Sequence, residues 1–284
     1  MHYRILSGKE SAEKILADAK ATIDEHKLKP VLGIVVVGEE GPSQIYVKKK
    51  VETAAKVGVE AHVHKLPHNA EEAELLKLIK RLNEDKKTHG FIVQLPLPRH
   101  MNADKAISTI DPQKDVDGFH PYNMGKVVLN QFDDTMFPPA TPFGVMKMLE
   151  YYDVELAWKN AVVIGRSNIV GKPMALMLLH KNATVTVCHS KTKSMAEFTH
   201  NADVIVSAVG SPKLVTADMV KEGAFVIDVG TTKTPDGKLA GDVDFENVIK
   251  KAHCSPVPGG VGPLTVAMLI RNTAEAAKRA KTRS

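Results

Sequence analysis

The sequence predicts an α/β protein of two domains, an N-terminal α/β substrate domain and a C-terminal Rossmann-type nucleotide-binding domain. Short apolar runs rich in β-branched residues alternate with segments of helical periodicity, a pattern typical of parallel sheets covered by helices. One of these runs, Ala161–Ile164, ends at a glycine turn that leads into a helix start. The chain has 284 residues, which suits two domains better than one.

The composition is that of a globular enzyme with a sizeable core. Hydrophobic residues make up 43% of the chain and charged residues 25%. The net charge of +5 is modest and the lysines are not clustered with aromatic residues, so we expect a small anionic substrate and no nucleic-acid partner. The only cysteines, Cys188 and Cys254, lack metal-ligand spacing. Since no signal peptide or membrane-length apolar run is present, we expect a cytoplasmic protein with no metal and no membrane partner.

Strands and helices alternate through the N-terminal half. Apolar residues at helical spacing from Ala12 to Ile23 predict an opening helix, for which Ser7 is a candidate N-cap. The apolar run Val31–Val37 predicts a buried strand, and a helix is expected from Pro42 to about Val57. The next predicted elements are a strand over 62–66, a helix with Leu75, Leu78, Ile79 and Leu82 on its core face, and a strand over 90–94. This order implies a parallel sheet.

The proline-marked stretch from Pro121 to Pro142 is expected to be loop-rich and to contain the domain boundary. Beyond the glycine turn we expect a helix from Gly171 and then the strand Thr184–Cys188. The segment Pro256–Thr265 is too rich in glycine and proline for helix or strand, and it predicts either a backbone surface for a flat ligand or a turn-dense linker. A helix from Thr265 onward closes the chain.

The turn Gly165-x-Ser167-x-x-x-Gly171 predicts a site for the pyrophosphate of a dinucleotide. Backbone N–H groups and the positive end of a helix dipole would face the anion, and the glycines would allow the main chain to approach it. The spacing differs from the usual Gly-x-Gly-x-x-Gly, so a strand, turn and helix without a ligand is the alternative interpretation.

The end of the next strand indicates which dinucleotide would bind. NAD sites usually carry an acidic residue there for the ribose 2'-hydroxyl. Here Thr184–Cys188 continues into His189, Ser190 and Lys191. Together with Arg166 in the glycine turn, Ser190 and Lys191 offer donors and positive charge to the 2'-phosphate of NADP. The alternative is that Lys191 is an ordinary solvated charge.

Three polar side chains share one face of the helix that follows Pro42. Ser43, Tyr46 and Lys50 are spaced i, i+3 and i+7. The catalytic interpretation has a purely structural alternative, in which the lysine run 48–50 is a solvated helix face and Tyr46 is a packing residue. Tyr-x-x-x-Lys also occurs in short-chain dehydrogenases, but there it follows the glycine fingerprint on the same domain, the reverse of the order found here.

Further polar residues follow the predicted strand over 90–94. Gln94 would lie at the carboxyl edge of a parallel sheet, where ligands bind in open α/β folds, although a backbone cap is the more frequent role of such an amide. The loop Lys114-Asp-Val-Asp-Gly-Phe-His-Pro121 carries two carboxylates. These could cap a turn or bind a cationic or amino-pyrimidine ring.

Five motifs in register make the chain resemble the bifunctional methylenetetrahydrofolate dehydrogenase/cyclohydrolase family over nearly its whole length. They are Ser43-x-x-Tyr46-x-x-x-Lys50, Val93-Gln-Leu-Pro-Leu-Pro98, Lys114-Asp-Val-Asp-Gly118, Gly165-Arg-Ser-x-x-Val-Gly-x-Pro173 and Pro256-Val-Pro-Gly-Gly-Val-Gly-Pro263. Two departures are mild: Ala140 stands where a cysteine is common, and Ser255 where a proline is common.

The resemblance implies NADP-dependent oxidation of 5,10-methylenetetrahydrofolate and hydrolysis of the methenyl product to 10-formyltetrahydrofolate, in one cleft between the domains. It implies a folate-binding catalytic domain over 1–140, on which a C-terminal helix 264–284 packs back, an NADP-binding Rossmann domain over 141–263, and a homodimer. Lys50 would be the catalytic amine, Tyr46 would orient the folate, Gln94 would hold Lys50, and Asp117 would bind the pterin ring.

The same resemblance implies the remaining site residues. Those expected to bind folate are Ser43, Tyr46, Lys50, Val93, Gln94, Leu95, Asp117, Pro258, Gly259, Gly260, Val261 and Gly262. Together with Lys191, which is expected from its place at the strand end, those expected to bind NADP are Gly165, Arg166, Ser167, Val170, Gly171, Ser190 and Thr231. Two alternatives remain open at this point: a shikimate-dehydrogenase-like oxidoreductase, for which the chain lacks a Gly-x-Gly-Gly turn, and a non-catalytic NADP-binding protein.

Overall fold

The computed structural model describes residues 2–38 and 43–283, with the side chains of residues 43–46 excepted. The chain divides into two compact units, each made of two segments. Unit 1 comprises Met1–Glu13 and Thr141–Thr265, and unit 2 comprises Lys14–Ala140 and Val266–Ser284. The first thirteen residues therefore group with the second half of the chain.

The secondary structure alternates between helices and strands in both halves of the chain. The elements up to residue 151 are α1 (Lys9–Glu25), β1 (Val31–Val37), α2 (Ser43–Lys56), β2 (Glu60–Leu66), α3 (Glu72–Glu84), β3 (Gly90–Val93), α4 (Ala103–Thr109), α5 (Pro121–Val128) and α6 (Ala140–Tyr151). The later elements are β4 (Asn160–Ile164), α7 (Gly171–His180), β5 (Thr184–Cys188), α8 (Met195–Thr199), β6 (Val204–Ser207), a 3-10 turn (Ala217–Met219), β7 (Phe225–Asp228), β8 (Thr232–Lys233), β9 (Leu239–Ala240), α9 (Phe245–Val248), β10 (His253–Cys254) and α10 (Val261–Arg283).

Unit 2 is built on a parallel sheet with the strand order β2-β1-β3. Because side chains alternate along a strand, β1 serves two cores. Leu32 and Ile34 join one apolar cluster that includes Leu269 and Ile270 of α10. Val35 belongs to a second cluster formed with α3 and α4. The predicted parallel sheet and the strand Val31–Val37 are confirmed.

Unit 1 is built on a five-stranded parallel sheet with the order β10-β7-β6-β4-β5. Ile164 pairs with Cys188 on one side and with Ser207 on the other, and Ser207 pairs with Asp228. These residues end their strands, so the loops that follow β4, β5, β6 and β7 leave from one carboxyl edge. That edge is where ligands bind in open α/β sheets.

Two expectations about helices need correction. The stretch Pro121–Pro142 is only partly loop, because it contains α5 and the start of α6, while 129–139 lies outside helices and strands. Pro121 is tolerated at the first position of α5, and His120 caps this helix by accepting a hydrogen bond from Tyr122 N through Nδ1 at 3.0 Å. Likewise, α10 begins at Val261 rather than at Thr265. Pro263 lies in its first turn, where a missing N–H costs no intrahelical hydrogen bond.

The short helix α4 is an addition to the predicted elements. Asn102 caps it, since its Oδ1 accepts a hydrogen bond from Lys105 N at 3.0 Å. Within the described ranges, no helix is both long and apolar enough to cross a membrane.

Candidate active site

Lys50 and Gln94 meet in unit 2. Lys50 lies on α2, and its Nζ donates a hydrogen bond to Gln94 Oε1 at 2.8 Å. Gln94 directly follows β3, and its backbone N–H continues the ladder by donating to Val35 O at 2.9 Å. Its Nε2 donates to Leu95 O at 3.0 Å, which fixes the amide with the oxygen facing the amine. Val93 is buried at the strand end, and Leu95 is half-buried.

The environment of Lys50 favours a neutral amine more than water does. The residue is only 8% exposed. Burial lowers the pKa of Lys50 below its usual value, and the nearby Asp117 carboxylate partly opposes this by raising it. Since Gln94 is uncharged, its hydrogen bond holds the amine without a second charge to stabilise the protonated form.

Asp117 is half-buried in the loop after β3. The pKa of Asp117 is raised to about 6, chiefly because burial disfavours the charged form; Lys50 opposes this rise, and the Asp115 carboxylate adds to it. Among the hydrogen bonds of the described residues, none involves the Asp117 carboxylate. Its two oxygens are therefore available to accept hydrogen bonds from a ligand.

The loop that carries Asp117 is held by the other carboxylate of the motif, Asp115. This side chain is 1% exposed. Its Oδ2 accepts hydrogen bonds from His120 N at 2.7 Å and from Asn123 Nδ2 at 2.8 Å. Asn123 Oδ1 in turn accepts a hydrogen bond from Phe137 N at 3.1 Å. Turn capping is thus performed by Asp115, and sequence reasoning missed the contribution of Asn123.

Two predicted site residues lie outside what the structure describes. Ser43 and Tyr46 belong to the first turn of α2, but their side chains are not among the described ones. The contacts expected of both residues stay predictions.

The glycine turn after β4 has the geometry of a tight strand-to-helix connection. Gly165 has a φ of +119°, and a Cβ on Gly171 would lie 2.3 Å from Gly165 O, so neither position can carry a side chain without rearrangement. Ser167 Oγ accepts hydrogen bonds from Val170 N and Gly171 N, both at 3.2 Å. The hydroxyl thereby satisfies two N–H groups at the start of α7.

The residues expected near a 2'-phosphate lie at the same carboxyl edge of the sheet as the glycine turn. Gly165 N donates to Cys188 O at 2.8 Å, which places the end of β5 beside the turn. Arg166, Ser190 and Lys191 lie in the loops after β4 and β5, and all three are exposed. Lys191 N donates to His189 Nδ1 at 3.1 Å, a local contact within the loop after β5.

The remaining predicted residues also belong to unit 1. Thr231 is exposed in the loop after β7. In the segment 258–262, Pro258, Gly259 and Gly262 are exposed, whereas Gly260 and Val261 are buried. Gly259 O accepts a hydrogen bond from Gly8 N at 2.9 Å, so the N-terminal segment supports this loop. The structure thus brings Lys50, Gln94 and Asp117 together in unit 2 and places the NADP-site residues and 258–262, Pro258 included, in unit 1.

Sequence reasoning missed two buried carboxylates in unit 1, Asp228 and Asp242. An acid that ends an apolar run is a signal that could have identified Asp228, the last residue of β7. Asp242 follows a two-residue strand and has no such signal. Among the described residues, no group of three or more His, Cys, Asp or Glu side chains could hold a metal ion.

Two family models match the chain. The model described as "Tetrahydrofolate dehydrogenase/cyclohydrolase, catalytic domain" matches residues 6–117. The model described as "Tetrahydrofolate dehydrogenase/cyclohydrolase, NAD(P)-binding domain" matches residues 139–281. The chain belongs to this family.

Relatives in the tetrahydrofolate dehydrogenase/cyclohydrolase family match over the full length. The proteins named "Bifunctional protein FolD" from Nautilia profundicola and Moorella thermoacetica are each 50% identical to the chain, covering 96% and 98% of it and 97% and 100% of the relatives. The solved bifunctional enzyme from Campylobacter jejuni has a TM-score of 0.93 at 46% identity, covering 97% of this chain and 98% of that one. The dehydrogenase-cyclohydrolase from Trypanosoma brucei, solved with NADP cofactor and an inhibitor, has a TM-score of 0.94 at 37% identity and covers all of both chains.

A shikimate dehydrogenase from Aquifex aeolicus shares only the general fold with this family member. Its TM-score is 0.53 at 13% identity, with 89% of this chain and 97% of that chain covered. The comparison therefore gives no support to the shikimate-dehydrogenase alternative. As a member of the tetrahydrofolate dehydrogenase/cyclohydrolase family, the chain has a catalytic domain and an NAD(P)-binding domain.

Proposed function

We propose that this family member oxidises 5,10-methylenetetrahydrofolate to the 5,10-methenyl compound with NADP and hydrolyses the product to 10-formyltetrahydrofolate, in one-carbon metabolism. The observation that carries the proposal is the buried Lys50 amine held by the neutral Gln94 amide beside Asp117. Folate binding is assigned to unit 2 and NADP binding to unit 1.

The oxidation demands positioning more than proton transfer. The methylene carbon gives up a hydride and becomes cationic, and NADP supplies the hydride acceptor when bound. No proton leaves the substrate in this step, so the protein has to hold the reacting carbon close to its acceptor. We assign this task to Asp117 on the pterin ring and to Tyr46, with Ser43 beside it, on the same helix as Lys50.

The hydrolysis needs a general acid/base. Water loses a proton as it attacks the methenyl carbon, and a ring nitrogen gains a proton as the ring opens. An amine can serve near neutral pH only if its pKa falls well below that of a surface lysine. Burial of Lys50 acts in that direction, and the cationic substrate would act in the same sense. Gln94 orients the amine without opposing the shift.

NADP rather than NAD is assigned from the donors at the carboxyl edge of unit 1. Arg166, Ser190 and Lys191 follow the ends of the adjacent strands β4 and β5. Gly165, Ser167, Val170 and Gly171 form the turn for the pyrophosphate, and Thr231 follows β7.

The proposal is tested by Lys50→Met with Lys49→Met as the matched control. Lys49 is the preceding residue on α2 and is exposed, whereas Lys50 is buried. Lys50→Met should lower hydrolysis of added methenyltetrahydrofolate by at least about 10² to 10⁴-fold, the usual contribution of acid/base catalysis. Dehydrogenase activity should remain measurable, so the methenyl compound should accumulate.

The control variant should keep both activities. If Lys50→Met hydrolyses the methenyl compound at the rate of the unchanged protein, the assigned role of Lys50 is wrong. If the unchanged protein shows neither activity but binds NADP, the chain is a non-catalytic NADP-binding protein instead.

We also propose that the protein is a cytoplasmic homodimer with no nucleic-acid or membrane partner. Both cysteines are buried and free, in keeping with a reducing compartment. Three large apolar side chains are exposed on consecutive elements at the β5 edge of the unit 1 sheet: Leu179 by 54%, Val187 by 39% and Phe198 by 42%. An edge strand flanked by apolar side chains supports association with a second copy.

A further inference from the structure

Two buried carboxylates lie at the carboxyl edge of the unit 1 sheet. Asp228 ends β7 and is 2% exposed, and Asp242 follows β9 and is 0% exposed. Buried carboxylates are costly unless they are fully hydrogen-bonded. The hydrogen bonds that Asp228 and Asp242 accept show which loops at this edge the two carboxylates stabilise.

Asp242 holds the loop that follows β6. Its Oδ2 accepts hydrogen bonds from Ser207 Oγ at 2.9 Å and from Val209 N at 2.8 Å. Its Oδ1 accepts a hydrogen bond from Ser211 N at 2.7 Å. One side chain thus fixes both ends and the middle of the segment 207–211.

Asp228 holds Asp242 in turn. Its Oδ1 accepts hydrogen bonds from Asp242 N and Gly230 N, both at 2.9 Å, and its Oδ2 accepts one from Val243 N at 2.9 Å. The pKa of Asp228 is raised to about 6, chiefly because burial disfavours the charged form; the backbone N–H groups oppose this rise, and the neighbouring Asp242 carboxylate adds to it. The pair is therefore kept in place against a desolvation cost.

Two glycines allow the carboxylates to reach the backbone. A Cβ on Gly230 would lie 2.1 Å from Asp242 Oδ1, and a Cβ on Gly241 would lie 2.0 Å from Asp228 Oδ2. Any side chain at either position would displace a carboxylate. The two loops that follow β7 and β9 are therefore shaped around this pair.

The segment that Asp242 holds forms a wall of the glycine turn. A Cβ on Gly165 would lie 2.6 Å from Ala208 O and 3.3 Å from Val209 Cγ1. Val209 is nevertheless 41% exposed, so an apolar side chain faces solvent beside the turn. An exposed apolar surface next to backbone N–H groups is what the flat rings of a dinucleotide pack against.

We propose that Asp242 is a positioning residue for the dinucleotide, because it fixes the Ala208–Val209 wall against the glycine turn. This inference rests on the proposed function in one respect, namely that NADP occupies the turn. Asp242 itself does not touch the ligand. It acts through Val209 and Ser211, and Asp228 supports it.

The test compares Asp242→Asn with Asp203→Asn. Asp203 precedes β6 at the opposite edge of the same sheet, and its carboxylate accepts hydrogen bonds from Asn160 N at 2.9 Å and Lys221 Nζ at 2.7 Å. Each substitution turns an oxygen acceptor into an N–H₂ donor that faces existing donors. Only Asp242 lies at the carboxyl edge of the sheet, which carries the glycine turn.

Asp242→Asn should raise the Kd and the KM for NADP by about 10- to 100-fold, which corresponds to disrupting one or two hydrogen bonds. The dehydrogenase kcat at saturating NADP should change much less than KM. Hydrolysis of added methenyltetrahydrofolate needs no nucleotide and should remain, and a thermal unfolding curve like that of the unchanged protein shows that unit 1 of the variant is folded. Asp203→Asn should leave the Kd for NADP unchanged.

Ser207→Ala is the second variant in case Asp242→Asn does not fold. It removes one donor to Asp242 and should raise the Kd for NADP by a few-fold. The inference is overturned if the folded variants bind NADP as tightly as Asp203→Asn does in titration calorimetry without folate. If the unchanged protein binds no NADP in that experiment, the proposed function is wrong and the inference fails with it.

Discussion

The raised pKa of Asp117 leads to a prediction about pH. Because the pKa is raised to about 6, the carboxylate form is lost as the pH falls through that value. A protonated carboxyl can no longer accept from both an N–H and an exocyclic amine of a pterin ring. We therefore expect the Kd of a non-reactive folate, measured by titration calorimetry, to rise as the pH falls below about 6.

Asp117→Asn provides the control for this titration. The variant should bind folate about 5- to 150-fold more weakly, as expected for a lost acceptor worth about 1 to 3 kcal/mol. It should also lose the pH dependence near 6, and its binding of NADP should not change. Unchanged folate binding by the variant would show that Asp117 does not bind the pterin ring.

Arg166 leads to a prediction about cofactor choice. Each charge-assisted hydrogen bond to the 2'-phosphate contributes roughly 1.5 to 3 kcal/mol, so two of them favour NADP over NAD by on the order of a hundredfold or more. Arg166→Ala should reduce the ratio of kcat/KM for the two cofactors by about tenfold or more. The matched control is Lys172→Ala, since the Lys172 Nζ donates to Asn168 Oδ1 at 2.7 Å within the same turn.

Both variants can be assayed by following reduction of the two cofactors. An unchanged ratio in Arg166→Ala would show that this side chain does not contact the phosphate, even if the unchanged protein prefers NADP. Equal use of NADP and NAD by the unchanged protein would refute the assignment of all three residues.

At the level of single residues, the sequence predicts a functional side chain when that side chain lies at a recognisable strand end or on a recognisable helix face. Gln94 could be identified because it ends a recognisable strand, and Lys50 because it shares a helix face with Tyr46. Asn123 and Asp242 could not, because their roles depend on hydrogen bonds to residues 8 to 35 positions away. Such contacts follow no periodicity in the sequence.

At the scale of the elements, the contribution of α10 to stability can be tested by substituting Asn272. This residue is 0% exposed, and its Nδ2 donates to Val116 O at 2.9 Å and to Pro138 O at 3.2 Å. The helix is thereby tied to the residue that precedes Asp117. Asn272→Ala should lower the free energy of unfolding by about 1 to 3 kcal/mol, because two buried carbonyl groups lose their donor.

Denaturant unfolding measures this effect, and Thr282→Ala is its control. Thr282 lies in the exposed last turn of α10, where a substitution should change the free energy by less than about 0.5 kcal/mol. A similar loss in both variants would mean that the Asn272 hydrogen bonds contribute nothing specific. Folate binding should also weaken in Asn272→Ala, since the Asp117 loop loses a support.

The elements differ in how well the sequence predicts them, and the reason is how clear a pattern each one leaves in the sequence. The strands β1 and β5 have the predicted bounds, because both are short runs rich in β-branched residues. The helices α4 and α5 are only 7 and 8 residues long. They are too short for a periodic pattern to appear, and their caps, Asn102 and His120, become visible only in the structure.

At the scale of the whole molecule, the proposed homodimer is tested by its mass. The chain has a mass of 30.9 kDa, so sedimentation equilibrium should give about twice that value. Val187→Lys places a charge on the edge strand β5 and should shift the protein toward monomer. The control is Val128→Lys, because Val128 is 55% exposed but lies on α5 in unit 2.

A monomer at micromolar concentration in the unchanged protein would contradict the proposed dimer. If both lysine variants remain dimeric, the dimer forms through another surface than the β5 edge.

The composition of unit 2 from residues 14–140 and 266–284 determines the order in which the protein can fold during synthesis. Leu269 and Ile270 of α10 are 0% exposed in the same core as Leu32 and Ile34 of β1. While the ribosome translates the segment 141–265, the β1 sheet therefore lacks part of its covering and exposes apolar side chains. Aggregation and chaperone binding are favoured in that interval. A nonsense mutation before residue 266 would make this exposure permanent, although it would leave Lys50, Gln94 and Asp117 in the chain.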